Sequence, residues 1–260
     1  LGGAIIVEPN PLYLKEPVYA DVVTGFQTNG RGYNSNFELG KGGDNLSYFI
    51  SGNYMKIGDR HSPDYMLTNT GKEESSLGLG FRYRIEKFDV KAYYSLIDQN
   101  LALLRASFPH SANAIRQSFS SNRPDSSYIL PFSYEINEAN QLTQHHLVKG
   151  EAKWMYSDHG NLTLKAGKQL NKRQEFSVRR NSNKPIIDLD LITNDIQLEW
   201  NHPHKYELDG AIGVQYFYQD NDNNPGTGVT PLIPNYNTGR YSAFIIETKR
   251  IREHILELGA

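Results

Sequence analysis

The chain has 260 residues, with 27 Lys and Arg against 29 Asp and Glu, 38% hydrophobic side chains and no cysteine. So even a charge balance gives no field to draw in nucleic acid, which is not an expected partner, and without cysteine there is no disulfide framework, thiolate nucleophile or zinc-thiolate site. Mean hydropathy is negative, and no run of about 18 apolar residues offers a transmembrane helix, but a membrane-spanning strand needs only about 9 to 11 residues with apolar side chains at alternate positions.

Period-two alternation recurs along the chain and helical spacing is nearly absent, which predicts strands with two different faces. The expected strands lie at 18–29, 33–41, 46–57, 74–86, 88–100, 141–156, 162–175, 189–201, 206–219 and 239–250, with an eleventh at 255–258. Leu79, Phe81, Tyr83 and Ile85 oppose Gly78, Gly80, Arg82 and Arg84. Phe88, Val90, Ala92, Tyr94 and Leu96 oppose Asp89, Lys91, Tyr93 and Ser95. Val148, Ala152, Trp154 and Tyr156 oppose Lys149, Glu151 and Lys153, and Ile196, Leu198 and Trp200 oppose Asp195, Gln197 and Glu199. Between 206 and 219, Leu208, Ile212 and Val214 share one face with Tyr206, Tyr216 and Tyr218, while the other is mainly polar or small. Burying the charged faces in a dry core is costly, so they belong against water. The opposite faces are apolar over roughly 25 Å, the height of a lipid-facing band. Seventeen tyrosines suit the aromatic girdles at the edges of such a band.

The connections alternate in length. Tight turns are expected at Gly42-Gly43-Asp44-Asn45, Glu86-Lys87, Ser157-Asp158-His159-Gly160-Asn161, 201–205 and 250–253. Apart from a short one near 29–32, the others are long, at 58–73, 101–140, 176–188 and 220–238. An antiparallel meander returns to the same side at every second connection, so the short turns share one end and the long loops the other. That asymmetry is the pattern of an outer-membrane barrel, with short periplasmic turns and long external loops. The expected fold is all-β, an antiparallel transmembrane β-barrel.

Leu1-Gly2-Gly3-Ala4-Ile5-Ile6-Val7-Glu8-Pro9 resembles the last strand of the plug domain of TonB-dependent outer-membrane receptors. Leu103-Leu104-Arg105 through His110-Ser111-Ala112-Asn113, Tyr134-Glu135-Ile136-Asn137 and Gln144-His145-His146-Leu147 resemble the branch that includes ferric dicitrate and siderophore receptors and their relatives in Bacteroidetes-type bacteria. So do Gln169-Leu170-Asn171-Lys172-Arg173-Gln174-Glu175-Phe176 with Arg179-Arg180, Pro225-Gly226-Thr227-Gly228-Val229 and Ile233-Pro234-Asn235-Tyr236. Ala112 stands where that family often has Gly, so no backbone conformation is carried over there. The resemblance implies that 1–12 is the end of a plug domain and 13–260 the N-terminal half of a barrel of about 22 strands, the chain being a fragment. It further implies import of a ferric chelate, siderophore or iron citrate, across a Gram-negative outer membrane. In that family loops bind the ligand, and the TonB-ExbB-ExbD complex, acting through a region before Leu1, couples proton-motive force to passage past the plug. Outer-membrane lipid and lipopolysaccharide are the remaining partners. A receptor for cobalamin, haem or oligosaccharide stays open, as does a passive porin or outer-membrane enzyme.

The long 101–140 loop carries Arg105, His110, Asn113, Arg116 and Arg123 with Phe108, Phe119, Tyr128 and Phe132, and a short helix is expected at 113–118 with Ser111 as its cap. Guanidinium forks match carboxylates and rings stack, so this composition suits an anionic chelate. The candidate ligand-binding residues are Arg105, Phe108, His110, Asn113, Arg116, Tyr128, Arg179, Arg180 and Tyr236. The plainer alternative is that these groups satisfy one another within folded loops. His145 and His146 are adjacent in a strand, face opposite ways and read as structural. His202-Pro203-His204 reads as a solvated turn. Among Lys168, Lys172, Arg173, Arg179 and Arg180, ion pairing with Glu175 and neighbouring carboxylates is expected. Asn221-Asp222-Asn223-Asn224 reads as a turn, since it lacks the spaced acids of a calcium loop. No nucleophile elbow, metalloprotease motif, Walker loop or dinucleotide fingerprint occurs, so no enzyme activity and no cofactor are expected.

Overall fold

A computed structural model of the protein describes residues 11–109, 111–137, 139–178, 184–205 and 208–260, with only the backbone described at 203–205 and 250. The alternating segments pair into one antiparallel sheet of eleven strands. These are β1 (Tyr19–Gln27), β2 (Gly32–Gly42), β3 (Leu46–Ile57), β6 (Lys72–Ile85), β7 (Phe88–Ala102), β8 (Asn140–Met155), β9 (Asn161–Phe176), β10 (Ile187–Lys205), β11 (Leu208–Asn223), β12 (Tyr236–Ile251) and β13 (His254–Gly259). Each pairs with its predecessor in the chain, giving an uncrossed meander. The long connection between β3 and β6 holds a small ribbon, β4 (Arg60–His61) with β5 (Met66–Leu67). Several strands reach 16 residues and β10 reaches 19, against a usual strand of about 5–6.

Registers stay in phase, so one face is apolar across the sheet. One ladder row runs Ile85, Phe88, Trp154, Leu162, Trp200, Ile212, Ile245 over seven strands at the short-turn end. No second layer of the described chain covers this face: Ile50, Leu79, Val148, Leu164, Leu198 and Val214 are all exposed. The buried apolar side chains among the described residues are Phe49, Ile57, Ala102, Tyr128 and Ala139. All but Phe49 sit at the long-loop end, and Phe49 points to the polar face. That face carries cross-strand pairs: Arg82 Nη2 to Asp89 at 2.6 Å, Lys91 to Glu151 at 2.8 Å and Gln215 to Asp195 at 2.6 Å.

The chain enters along the polar face. Arg82 Nη1 donates to the Leu12 carbonyl at 2.8 Å, Ser47 donates to the Tyr13 carbonyl, and the Lys15 amide donates to Gly43 at 2.9 Å. Residue 42 must be glycine for this approach, since a Cβ there would collide with the Tyr13 carbonyl. The expected plug strand lies largely within 1–10, outside the described residues.

Connection lengths alternate as expected, with 43–45, 86–87, 156–160 and 252–253 at one end and 58–71, 103–139, 177–186 and 224–235 at the other. Several boundaries differ from expectation, two of them where a turn was expected. Residues 201–205 are not a turn, because β10 continues through Lys205 with a register break between His202 and Lys205. Pro203 has no N–H to give the ladder, and such a residue is accommodated at a bulge. Likewise 221–223 belong to β11, Asn221 pairing with both Leu191 and Tyr236.

Candidate functional site

At the long-loop end three connections, 28–31, 58–71 and 103–139, are tied into one platform, the last two by buried polar side chains. Asp59, 3% exposed, accepts from the Thr70 amide at 3.0 Å and the Ser133 amide at 3.3 Å. Asn69 has a left-handed backbone, φ 58, which Asn tolerates better than most residues. Its amide donates to the carbonyls of Leu103 at 2.9 Å and Ala139 at 2.8 Å and accepts from the Asn137 amide at 3.0 Å. Thr68 Oγ1 accepts from the Leu130 amide at 2.8 Å, and its carbonyl accepts from the Arg105 amide at 3.0 Å. The Arg31 guanidinium lies 4.2 Å over the Phe132 ring, which meets Tyr134 edge-on at 4.9 Å, and the Tyr134 hydroxyl donates to the Arg31 carbonyl at 2.7 Å. Sequence reasoning missed Asp59, Thr68, Asn69 and Arg31. The local signal for Asp59 and Asn69 was the pair of polar-glycine steps, Gly58-Asp59 and Asn69-Thr70-Gly71.

Several of the sequence candidates stand on this platform. Arg105 opens a 3-10 turn, Arg105–Ser107, which half-buried Phe108 closes. The expected helix is α1 (Ala112–Ser120), capped by Ser111, whose Oγ accepts from the Ala114 amide at 3.1 Å. Asn113 and Arg116 are exposed on it. Tyr128 ends a second 3-10 turn and is buried, so it supports the loop from within. Asp125 caps that turn; hydrogen bonds from Ser127, its amide at 2.9 Å first, hold the Asp125 carboxyl below its usual range. Turn, helix and second turn enclose a crevice of about 580 Å³ lined by Ala106, Pro109, Ala114, Gln117, Arg123 and Tyr128.

Tyr236 stands apart. It starts β12, five positions from β7 in the sheet, and its hydroxyl donates to Gln219 Oε1 at 2.9 Å on the polar face. Nearby, Arg240 lies 4.6 Å over the Phe217 ring. His110, Arg179 and Arg180 fall outside the described residues. The remaining cations of the 168–173 group do not converge: Arg173 pairs with Glu175 on the polar face, whereas Lys172, on the other face, lines a crevice with Asp98, Asp188 and Asp190. His145 and His146 do face opposite ways, toward Asn171 at 3.2 Å and the Tyr94 hydroxyl at 2.9 Å. Contrary to expectation, His202 is no solvated turn residue; it meets Glu247 at 3.1 Å on the apolar face. Among the described residues no three His, Asp or Glu are grouped to hold a metal ion. On the polar face, a cavity of about 490 Å³ is lined by Tyr13, Phe49, Arg82, Tyr93, Lys149 and Glu151.

No protein-family model matches the chain, and no curated protein does. Similar solved structures include the RagAB peptide importer in its closed-closed state, at 10% identity and a TM-score of 0.43, and the RagAB peptide transporter, at 11% identity and a TM-score of 0.43. Each match covers 84% of this chain and 29% of the other, so the chain spans under a third of the length of those proteins.

Proposed function

We propose that this sheet is part of the wall of an outer-membrane β-barrel, and that the protein is a TonB-dependent receptor importing a ferric chelate. The uncovered apolar face carries the membrane reading. Contiguous exposed Leu, Val, Ile and Trp across the strands would drive aggregation in water, and the same face is stable against hydrocarbon. The opposite face, with its ion pairs, suits a wet interior. Long loops then stand outside the cell and short turns in the periplasm.

The ligand assignment rests on the sequence resemblance together with the composition of the platform. Arg105, Arg116 and Arg123 share the long loop with Phe108 and exposed Phe119, a composition of guanidinium forks and rings that fits an anionic chelate. The mechanism is binding by loops followed by passage through the interior, driven by the TonB-ExbB-ExbD complex; no bond in the ligand is made or broken. The full-length protein in detergent, titrated with ferric citrate, a ferric siderophore, cobalamin, haem, an oligosaccharide and an oligopeptide, is expected to bind a ferric chelate saturably. Arg116→Ala should weaken that binding roughly tenfold, the worth of about one charge-assisted hydrogen bond. Tight binding of another member of the panel alone overturns the ferric assignment.

A further inference from the structure

The geometry points to a phospholipid headgroup site on the apolar face near the short turns. We infer that it takes a lipid with a primary ammonium headgroup; the inference rests on the membrane reading above. The row Trp200, Ile212, Ile245 is followed, one step nearer the turns, by the row His202, Gly210, Glu247. His202 Nε2 stands 3.1 and 3.3 Å from the two Glu247 carboxylate oxygens and, since a carboxylate only accepts, must be the donor. The pair spans β11 because the residue between is Gly210, where a Cβ would run into the Glu247 carboxylate. A charged group therefore sits directly below an apolar row, at the depth where hydrocarbon gives way to headgroups.

The chemistry selects the headgroup. One imidazole N–H shared by two oxygens uses a small part of a carboxylate's acceptor capacity. The Glu247 side chain is 27% exposed, so a ligand can reach it. Beside the pair, Trp200 is 43% exposed, its ring 5.7 Å from His202 and its Nε1 donating to the Tyr156 hydroxyl at 2.7 Å. An indole face attracts a cation, and a carboxylate adds charge and hydrogen-bond acceptance. A primary ammonium uses both, a choline uses the first and the charge alone, and a glycerol headgroup brings no cation.

The test mixes the full-length chain, folded in detergent micelles, with equal amounts of phosphatidylethanolamine, phosphatidylcholine and phosphatidylglycerol, and reads retained lipid by native mass spectrometry. Phosphatidylethanolamine should be retained about fivefold over phosphatidylglycerol, the scale of one cation-aromatic contact. Glu247→Gln should lower that preference, and Trp200→Leu should lower retention of both lipids that carry an ammonium group. Equal retention of the three lipids by the wild type, or an undiminished preference in Glu247→Gln, overturns the site. A purely bracing role for the pair predicts lower thermal stability in Glu247→Gln with lipid retention unchanged. Should Glu247→Gln not fold, the Trp200→Leu result decides alone, a wild-type pattern there counting against the site. Failure of the wild type to fold in micelles or vesicles removes the membrane reading itself, a different outcome from loss of lipid preference.

Discussion

Asn69 commits its side-chain amide to three backbone groups of the long loop, at Leu103, Asn137 and Ala139, and holds φ 58 while doing so. Asn69→Ala strands those groups and forces an L side chain without a local hydrogen bond into the left-handed region. An unsatisfied buried group costs about 1–3 kcal/mol, and the backbone adds roughly 1 kcal/mol. Asn69→Gly keeps the backbone and loses the bonds, so it should fall between Ala and the wild type. The readout is trypsin cleavage at Arg116, which should quicken in both variants while the sheet keeps its melting temperature. Unchanged cleavage in both would show that this amide does not hold the platform. At this scale, what could be read in the sequence was local. Ser111 caps a helix through an amide three residues on and was legible; Asn69 and Asp59 find partners up to 74 residues off, which no pattern in the sequence announces.

Strands were legible because two neighbouring residues on one strand face different media, and a period of two is hard to mistake. Their ends were less so. β10 runs from Ile187 where 189 was expected, and β11 runs on to Asn223 where 219 was expected, because backbone pairing continues where the side chains turn polar, at Asp188, Asp190, Asp220 and Asp222. Beyond the apolar band the alternation has no cause to persist, although the ladder does. Gln197 and Leu198 test the two-faced assignment on adjacent residues. Leu198, 39% exposed on the apolar face, pairs with Leu164 and Val214, whereas Gln197 donates to Glu199 at 3.2 Å on the polar face. Leu198→Lys should cost about 2–4 kcal/mol when folding into lipid vesicles is followed by urea titration. Gln197→Lys should stay within about 0.5 kcal/mol, as substitutions at wet sites do. Equal costs for the two would mean that both faces are covered by protein.

For the whole molecule the question is which end faces out. Which site residues meet was hidden from the sequence because it depends on strand order: β7 carries the long loop and β12 carries Tyr236, and four strands stand between them. The asymmetry of the connections was legible, since parity alone sends every second one to the same end, and it makes a claim about the cell. These 260 residues hold no cysteine, so an introduced thiol can be placed one position at a time. Phe119, 85% exposed on α1, marks the long-loop end, and exposed Asp158, in the β8–β9 turn, marks the other. In intact cells a membrane-impermeant maleimide should label Phe119→Cys and leave Asp158→Cys untouched; permeabilising the outer membrane should expose the second. The physical ground is that the two positions are separated by the apolar band, which a polar reagent does not cross, while either thiol is freely accessible from its own side. Labelling of Asp158→Cys alone in intact cells would invert the orientation, and with it the assignment of the platform as the face that meets the ligand. Labelling of both would remove the barrier between them and so the membrane itself from the account.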